Sequence, residues 1–533
     1  MKQRGSALPD LAFFGLLLAL LVLSAGAHVV VHDEETMFRV TQNLLAGRGL
    51  AVSYETLTVP AQNYPAFLPT RPETMPTTSV TPGRDGRMYC KSGIGQSLVA
   101  MPLYLLGVLL AQITGALPAA DGARQAVAML NPLALAGCGW LMVRFGRTLG
   151  YRAGSARWIA LAAVFTSMAW PYVKTFYPQP SVAFLVLGAV YAAYRWRGTP
   201  ERRWLWALAC ACGLAILFRI TEVIILPALT LYLVGATPGD RRWRGLIPLA
   251  AGVVVALGLT AGYNWLRFGS FSSTGYTEVA WTTPLLLGLY GLLFSPGKGV
   301  LVYAPLLILG LGAWLVFARQ RRAEAWLIAG LWLSYLFFYA PYNFWTGGFN
   351  WGPRFLLPVL PLGFLPVGAL LEEGKGRLVR ALFALLFAVG LAIQMPAILV
   401  DHSRYLYQQV AGTDESRAYG ETIYRADRSP VVRQWPVALE LVRAYMRTET
   451  WQAAARSLQG MDAPGVPNGK ALLQAEFFRR NTPDFWWLHG RLLDPSRPAS
   501  FVSILPWLAL GLVSALALWL AERPTPLLGK GHT

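Results

Sequence analysis

Two carboxylates and four cations, far apart in the chain, are the side chains with chemistry to offer. Asp33 and Glu34 lie in His32-Asp33-Glu34-Glu35, directly after an uninterrupted apolar run from Leu11 to Val31. Lys91, Arg219, Lys298 and Arg354 each stand in a polar break between apolar stretches. A glycosyl phosphate loses its phosphate readily if cations stabilise the negative charge that grows as the bond to the anomeric carbon breaks. On the other side of the sugar an attacking hydroxyl must give up its proton, and a carboxylate that accepts it is worth about 10²- to 10⁴-fold in rate. These residue types suit transfer of a sugar from a lipid phosphate by single displacement, which inverts the anomeric centre. Asp33 is the expected general base, with Glu34 assisting or replacing it. The same polar breaks carry Tyr89, Tyr177, Glu278, Trp345, Asn350 and Trp351 as candidates to line the substrate.

Each of these residues also has a plainer use. The carboxylates could complement the N-terminal dipole of a helix beginning at His32. Lys91 could snorkel at a membrane interface. Arg219 and Glu222, three apart, could pair only with each other. Lys298 could be an ordinary loop cation, and Arg354 could stack on Trp351 or Trp345 to anchor the next helix.

Composition fixes the elements that must position them. Of 533 residues 55% are apolar and 14% charged, more apolar surface than a soluble chain can hide, so the chain reads as an all-α polytopic membrane protein. Its net charge of +19 does not point to nucleic acid. The basic residues recur as short clusters between apolar spans, such as Arg144, Arg147, Arg152 and Arg157, as cytoplasmic loops do. Cys90, Cys138, Cys210 and Cys212 form neither a disulfide framework nor a paired metal motif.

In chain order, residues 11 to 31 read as an uncleaved anchor running outward, and 32 to 92 as the first external loop. Met37, Phe38, Thr41, Leu44 and Leu45 share one helical face, which predicts a short helix on the membrane surface. Pro60 to Gly83 should be irregular. Gly93 to Leu117 is apolar enough to cross, but counting it would turn every later Arg cluster outward. It is therefore expected to be interfacial or re-entrant.

Further spans fall near 125 to 143, 158 to 171, 181 to 194, 204 to 218, 220 to 235, 245 to 266, 299 to 318, 325 to 341, 355 to 371, 378 to 400 and 501 to 521, for about twelve membrane helices. Leu205 to Val234 should be a hairpin, because Arg219 and Glu222 would each cost about 2.5 to 3.5 kcal/mol at a bilayer centre. Residues 1–400 then form the membrane catalytic domain and 401–500 a small external helical region. Residues 501–533 supply the last membrane helix and a cytoplasmic tail.

The Asp33-Glu34 pair after the first membrane helix resembles the acidic motif in the first external loop of the polytopic GT-C glycosyltransferases. These include protein O-mannosyltransferases, oligosaccharyltransferases and the bacterial aminoarabinose transferases of lipid A. Tyr89-Cys90-Lys91-Ser92-Gly93-Ile94-Gly95-Gln96 resembles the lysine-containing stretch of the aminoarabinose transferases, whose lysine holds the carrier phosphate. Ser295 to Ala304 and Trp345 to Pro361 resemble stretches of bacterial lipid-carrier-dependent glycosyltransferases. The resemblance runs roughly from residue 10 to 400.

It implies a GT-C-type helical bundle and a polyprenyl-phosphate sugar donor. The active site would lie on the external, periplasmic side of a bacterial inner membrane. Two departures stand out. Cys90 occupies the place of an acidic residue, and although Glu278 could join Asp33 around a metal, the second external loop offers Lys174 and Gln179 but no carboxylate. Metal-independent transfer is therefore favoured over a divalent cofactor. The expected partners are the lipid-linked donor, the bilayer, and a glycan, lipid or protein acceptor. Two other classes stay open: a transporter or flippase of lipid-linked glycans, and a non-catalytic envelope-assembly scaffold docking through 401–500.

Overall fold

The computed structural model describes residues 7–29, 32–52, 79–115, 118–276, 279–373, 376–410, 414–447, 482–488 and 504–522. Apart from one hairpin, the described regular elements are helices. The first, α1 (Ala7–Leu23), stops well short of Val31, where the apolar run alone predicts helix to continue. The reason lies far along the chain. The last carbonyls of a helix need donors, and those of Val22 and Leu23 accept from the indole Nε1 atoms of Trp486 and Trp487, each at 2.8 Å. The Ala25 carbonyl accepts from the Trp486 backbone N–H at 3.1 Å. The chain leaves the helix there, and Ala27 takes a φ of +51°. His28 Nε2 then lies 2.8 Å from Asp484 Oδ1.

Helix α2 (His32–Leu45) carries the acidic residues in its first turn and buries the face expected of it, with Met37, Phe38 and Thr41 inside. It docks on α3 (Gly95–Thr114) through the Thr41 hydroxyl donating to the Ser97 carbonyl and the Ser97 hydroxyl donating to the Met37 carbonyl. The segment expected to be interfacial or re-entrant is this α3, an uninterrupted 20-residue helix long and apolar enough to cross a membrane. Gly107 of α3 and Gly122 of α4 (Ala119–Ala128) let the two backbones touch. A Cβ at Gly107 would stand 2.3 Å from the Gly122 carbonyl oxygen.

The inner bundle continues with α5 (Leu130–Thr148), α6 (Ala153–Phe165), α7 (Gln179–Gly198) and α8 (Arg202–Phe218). As anticipated, the apolar run breaks at Arg219; a 3-10 turn, Ile220–Ile225, leads into α9 (Leu226–Ala236). Helix α10 (Arg241–Phe268) lies outside and shows Ile247, Val254 and Val255 on its surface, a face suited to acyl chains. Where one span was expected near 299 to 318, the chain forms α11 (Leu285–Leu293), a Ser295–Gly299 loop, and three short helices, α12 (Val300–Tyr303), α13 (Leu306–Gly312) and α14 (Trp314–Gln320). Pro305, between α12 and α13, cannot continue a helical ladder.

After α15 (Arg322–Tyr339) comes a glycine loop, then a buried 3-10 stretch, Arg354–Phe364, whose Pro358 and Pro361 prevent an α-helix. Helices α16 (Leu365–Glu373) and α17 (Arg377–Leu399) complete the bundle. Five described segments are long and apolar enough to span a membrane: Gly95–Thr114, Ala119–Thr148, Arg241–Phe268, Arg354–Glu373 and Arg377–Leu399. The chain is thus a helical, multi-pass membrane protein. The following region holds α18 (Arg404–Val410), α19 (Glu415–Tyr424) and α20 (Pro430–Met446). Leu505–Glu522, the last described helix, packs on α1, with Ser514 against Gly15.

Candidate active site

Asp33, in the first turn of α2, is half-buried, and its Oδ1 accepts from the Ser79 hydroxyl at 2.5 Å. The Ser79 carbonyl accepts from the Lys91 backbone N–H at 3.2 Å. Acid and lysine are therefore held at the mouth of the same hairpin, β1 (Val80–Pro82) paired with β2 (Met88–Cys90). That hairpin is tied to its neighbours. Arg267, stacked on Tyr263 at the end of α10, donates to the Cys90 carbonyl and to Asn264 Oδ1. The Cys90 thiol donates to Thr36 of α2 at 3.3 Å. Lys91 Nζ lies 5.8 Å from the ring centre of Tyr276, in the loop after α10.

Two breaks in the bundle deliver the arginines. Arg219 donates through Nη2 to the Tyr339 hydroxyl at 3.1 Å, and its guanidinium is 5.1 Å from the Phe355 ring centre. Arg354 lies 4.9 Å from Tyr177 and 5.1 Å from that same Phe355 ring. Tyr339 and Phe355 stack nearly parallel at 4.6 Å. Arg219 Nη1 and Arg354 Nε are buried and have no hydrogen-bond partner among the described residues. Arg219 and Glu222 do not pair exclusively, since Glu222 accepts from the Tyr335 hydroxyl. Arg354 stacks on tyrosine and phenylalanine instead of Trp345 or Trp351.

Two tyrosines lie within reach of both the acids and the cations. Burial raises the pKa of the Tyr276 hydroxyl, the charge of Asp33 raises it further, and Arg219 and Arg354 oppose that rise. At Tyr177 burial again leads, Arg354 opposes it, and Asp33 and Glu34 reinforce it. Charge interactions weaken steeply with separation. Asp33 and the arginines of both breaks therefore lie near Tyr276, and Asp33, Glu34 and Arg354 lie near Tyr177.

Other candidates have different positions. Lys298 is buried, and its Nζ donates to the carbonyls of Gly348 at 2.7 Å and Asn350 at 2.5 Å. Burial, then the charge of Arg354, holds its pKa well below the usual lysine range. The amine ties the glycine loop together through its two carbonyls.

Asn350 Nδ2 donates to the Gly347 carbonyl, Trp351 Nε1 donates to Gln394, and Trp345 packs on Gly291. All three build the loop and its footing. The Tyr89 hydroxyl donates to Asp85 and stabilises the hairpin turn. Glu34 is buried beside Asp33, whereas Glu35 pairs with Arg39 at 2.6 Å and with Arg124, fixing α2 to α4. Glu278 lies outside the described residues. Among the described residues, no three His, Cys, Asp or Glu side chains could hold a metal ion together. Reading the sequence missed Ser79, Tyr276, Tyr339 and Phe355. Only the adjacency of Phe355 to Arg354 was a signal for any of them.

Fold and site together define a multi-pass helical membrane protein with two arginines that each bury a nitrogen atom and an acidic helix start near the same tyrosine. Residues 104–265 match the family described as dolichyl-phosphate-mannose-protein mannosyltransferase. Over that stretch, which includes Tyr177 and Arg219, the chain is similar to a family of lipid-carrier-dependent membrane glycosyltransferases. Among solved structures it is similar to ArnT from Cupriavidus metallidurans bound to undecaprenyl phosphate, with 14% identity, 93% of this chain and 79% of that chain covered, and a TM-score of 0.45. It is also similar to the same protein in the apo state, with 17% identity, the same coverage and a TM-score of 0.44. No curated protein matches the chain.

Proposed function

We propose that this protein transfers a sugar from a polyprenyl-phosphate donor to an acceptor hydroxyl at the external face of the membrane, inverting the anomeric centre. The observation that carries this reading is the pair of arginines on Phe355. Two guanidiniums, each with a buried nitrogen lacking a partner among the described residues, stand 5.1 Å from one ring. Buried cationic groups of this kind suit a phosphate. The family match over 104–265 supports the same chemistry.

In the reaction the acceptor oxygen attacks the anomeric carbon and its proton passes to Asp33. The anomeric carbon–oxygen bond breaks, and its electron pair leaves on the phosphate, where Arg219 and Arg354 stabilise the charge. Lys91 approaches from the hairpin side, beside Tyr276, and Tyr177 stacks on Arg354. The polyprenyl chain stays in the bilayer. Purified protein incubated with labelled polyprenyl-phosphate sugar and candidate acceptors tests this. Label transfer that is lost in Asp33→Asn, with the fold intact, supports it; lipid movement without transfer would establish a flippase instead.

A further inference from the structure

The glycine loop before Arg354 is held from two directions. Gly347 and Gly348 have φ values of +71° and +78°, a region that side-chain-bearing residues rarely enter. Gly347 lies directly against the arginine: a Cβ there would stand 2.8 Å from Arg354 Cγ and 2.9 Å from its Nε. This loop is therefore the wall on which the guanidinium rests. Its Gly348 carbonyl takes two donors, Lys298 Nζ from within the bundle and, at 2.6 Å, the hydroxyl of Tyr419 from α19.

Helix α19 also grips the other glycine loop. The Ile423 carbonyl accepts from the Gly297 N–H at 3.0 Å, and a Cβ on Gly297 would be 2.1 Å from the Thr422 carbonyl oxygen. A little further on, the Ser429 hydroxyl donates to the Pro296 carbonyl at 2.6 Å. One short helix thus straps the Ser295–Gly299 loop to the loop bearing Arg354.

We propose that Tyr419 is a positioning residue for Arg354, so that the region after α17 sets the affinity for the phosphate donor through the shared Gly348 carbonyl. This rests on the reading of Arg354 as a phosphate ligand. The hydroxyl acts at one remove; its ring packs on Phe349 at 5.0 Å and would remain in a Tyr419→Phe variant.

The test measures binding of sugar-free polyprenyl phosphate to the full chain in nanodiscs, for wild type, Tyr419→Phe, Arg354→Ala and the double variant, alongside donor KM and kcat. Loss of one neutral hydrogen bond predicts about fivefold weaker binding in Tyr419→Phe, with KM raised and kcat near wild type. The double variant should bind no more weakly than Arg354→Ala. Ser429→Ala, which frees the strap at its other end, should shift KM in the same direction, and it decides the matter should Tyr419→Phe not fold. Unchanged affinity and KM, or additive losses in the double variant, overturn the positioning role while leaving the site reading intact. Wild type that holds no polyprenyl phosphate overturns both.

Discussion

Arg219 and Arg354, 135 positions apart, each stand 5.1 Å from the centre of the Phe355 ring. A buried nitrogen of each lacks a partner among the described residues, an arrangement that an anionic ligand would stabilise. In the proposed reaction Arg354→Ala should lower kcat/KM by about 10²- to 10³-fold, as loss of one oxyanion donor does. Arg354→Lys should recover little, because a point charge does not reproduce the planar fork or its stacking on Tyr177. Steady-state kinetics with the labelled donor decide.

Asp33→Asn should lower kcat by about 10²- to 10⁴-fold through loss of the general base. Binding of sugar-free polyprenyl phosphate should be unchanged. Ser79→Ala, which frees Asp33 Oδ1 from its hydroxyl partner, should give a smaller loss in kcat. An Asp33→Asn variant with full kcat would remove the carboxylate from the mechanism.

Glu35 belongs to the scaffold. Glu35→Gln removes the buried charge that pairs with Arg39 and Arg124 and should cost about 3–5 kcal/mol of stability. Thermal unfolding should report a clear fall in Tm, in contrast to Asp33→Asn, which stays near wild type.

For Lys298 the dependence on pH has a definite sign. Its pKa in the folded protein lies well below the 10.5 of an ordinary lysine, chiefly through burial. Between those two values the unfolded chain binds the proton and the folded chain does not, so stability rises with pH up to about 10.5 and falls as pH drops through the folded value. Lys298→Met should flatten that part of the stability profile while lowering stability overall, because the Asn350 carbonyl loses its donor. Melting curves in detergent across the alkaline range check both effects.

Much of the scaffold is legible in the chain because Arg clusters and charged breaks interrupt its apolar runs. The break at Arg219 and the helices on either side of it emerge as that pattern predicts. Asp33, Lys91, Arg219 and Arg354 are conspicuous in the chain as charges in apolar surroundings. Tyr276 and Phe355 are not conspicuous, since aromatic residues make up 13% of the chain and only their placement between charges distinguishes them. Lys298 is only partly legible. Its charge suggests a ligand, and nothing local reveals the two carbonyls that occupy its amine. The early end of α1 depends on tryptophans 464 positions away, beyond any local pattern.

That last contact orders assembly in time. The turn leading from α1 into the acidic motif is closed by Asp484, Trp486 and Trp487, so during synthesis α1 waits for tryptophans made 464 positions later. A ribosome-bound chain halted before Thr482 should leave His28 accessible to a chemical probe that the finished protein excludes. Maturation of the reactive face would then await synthesis of Asp484, Trp486 and Trp487 and not follow from insertion of α1 and α2 alone.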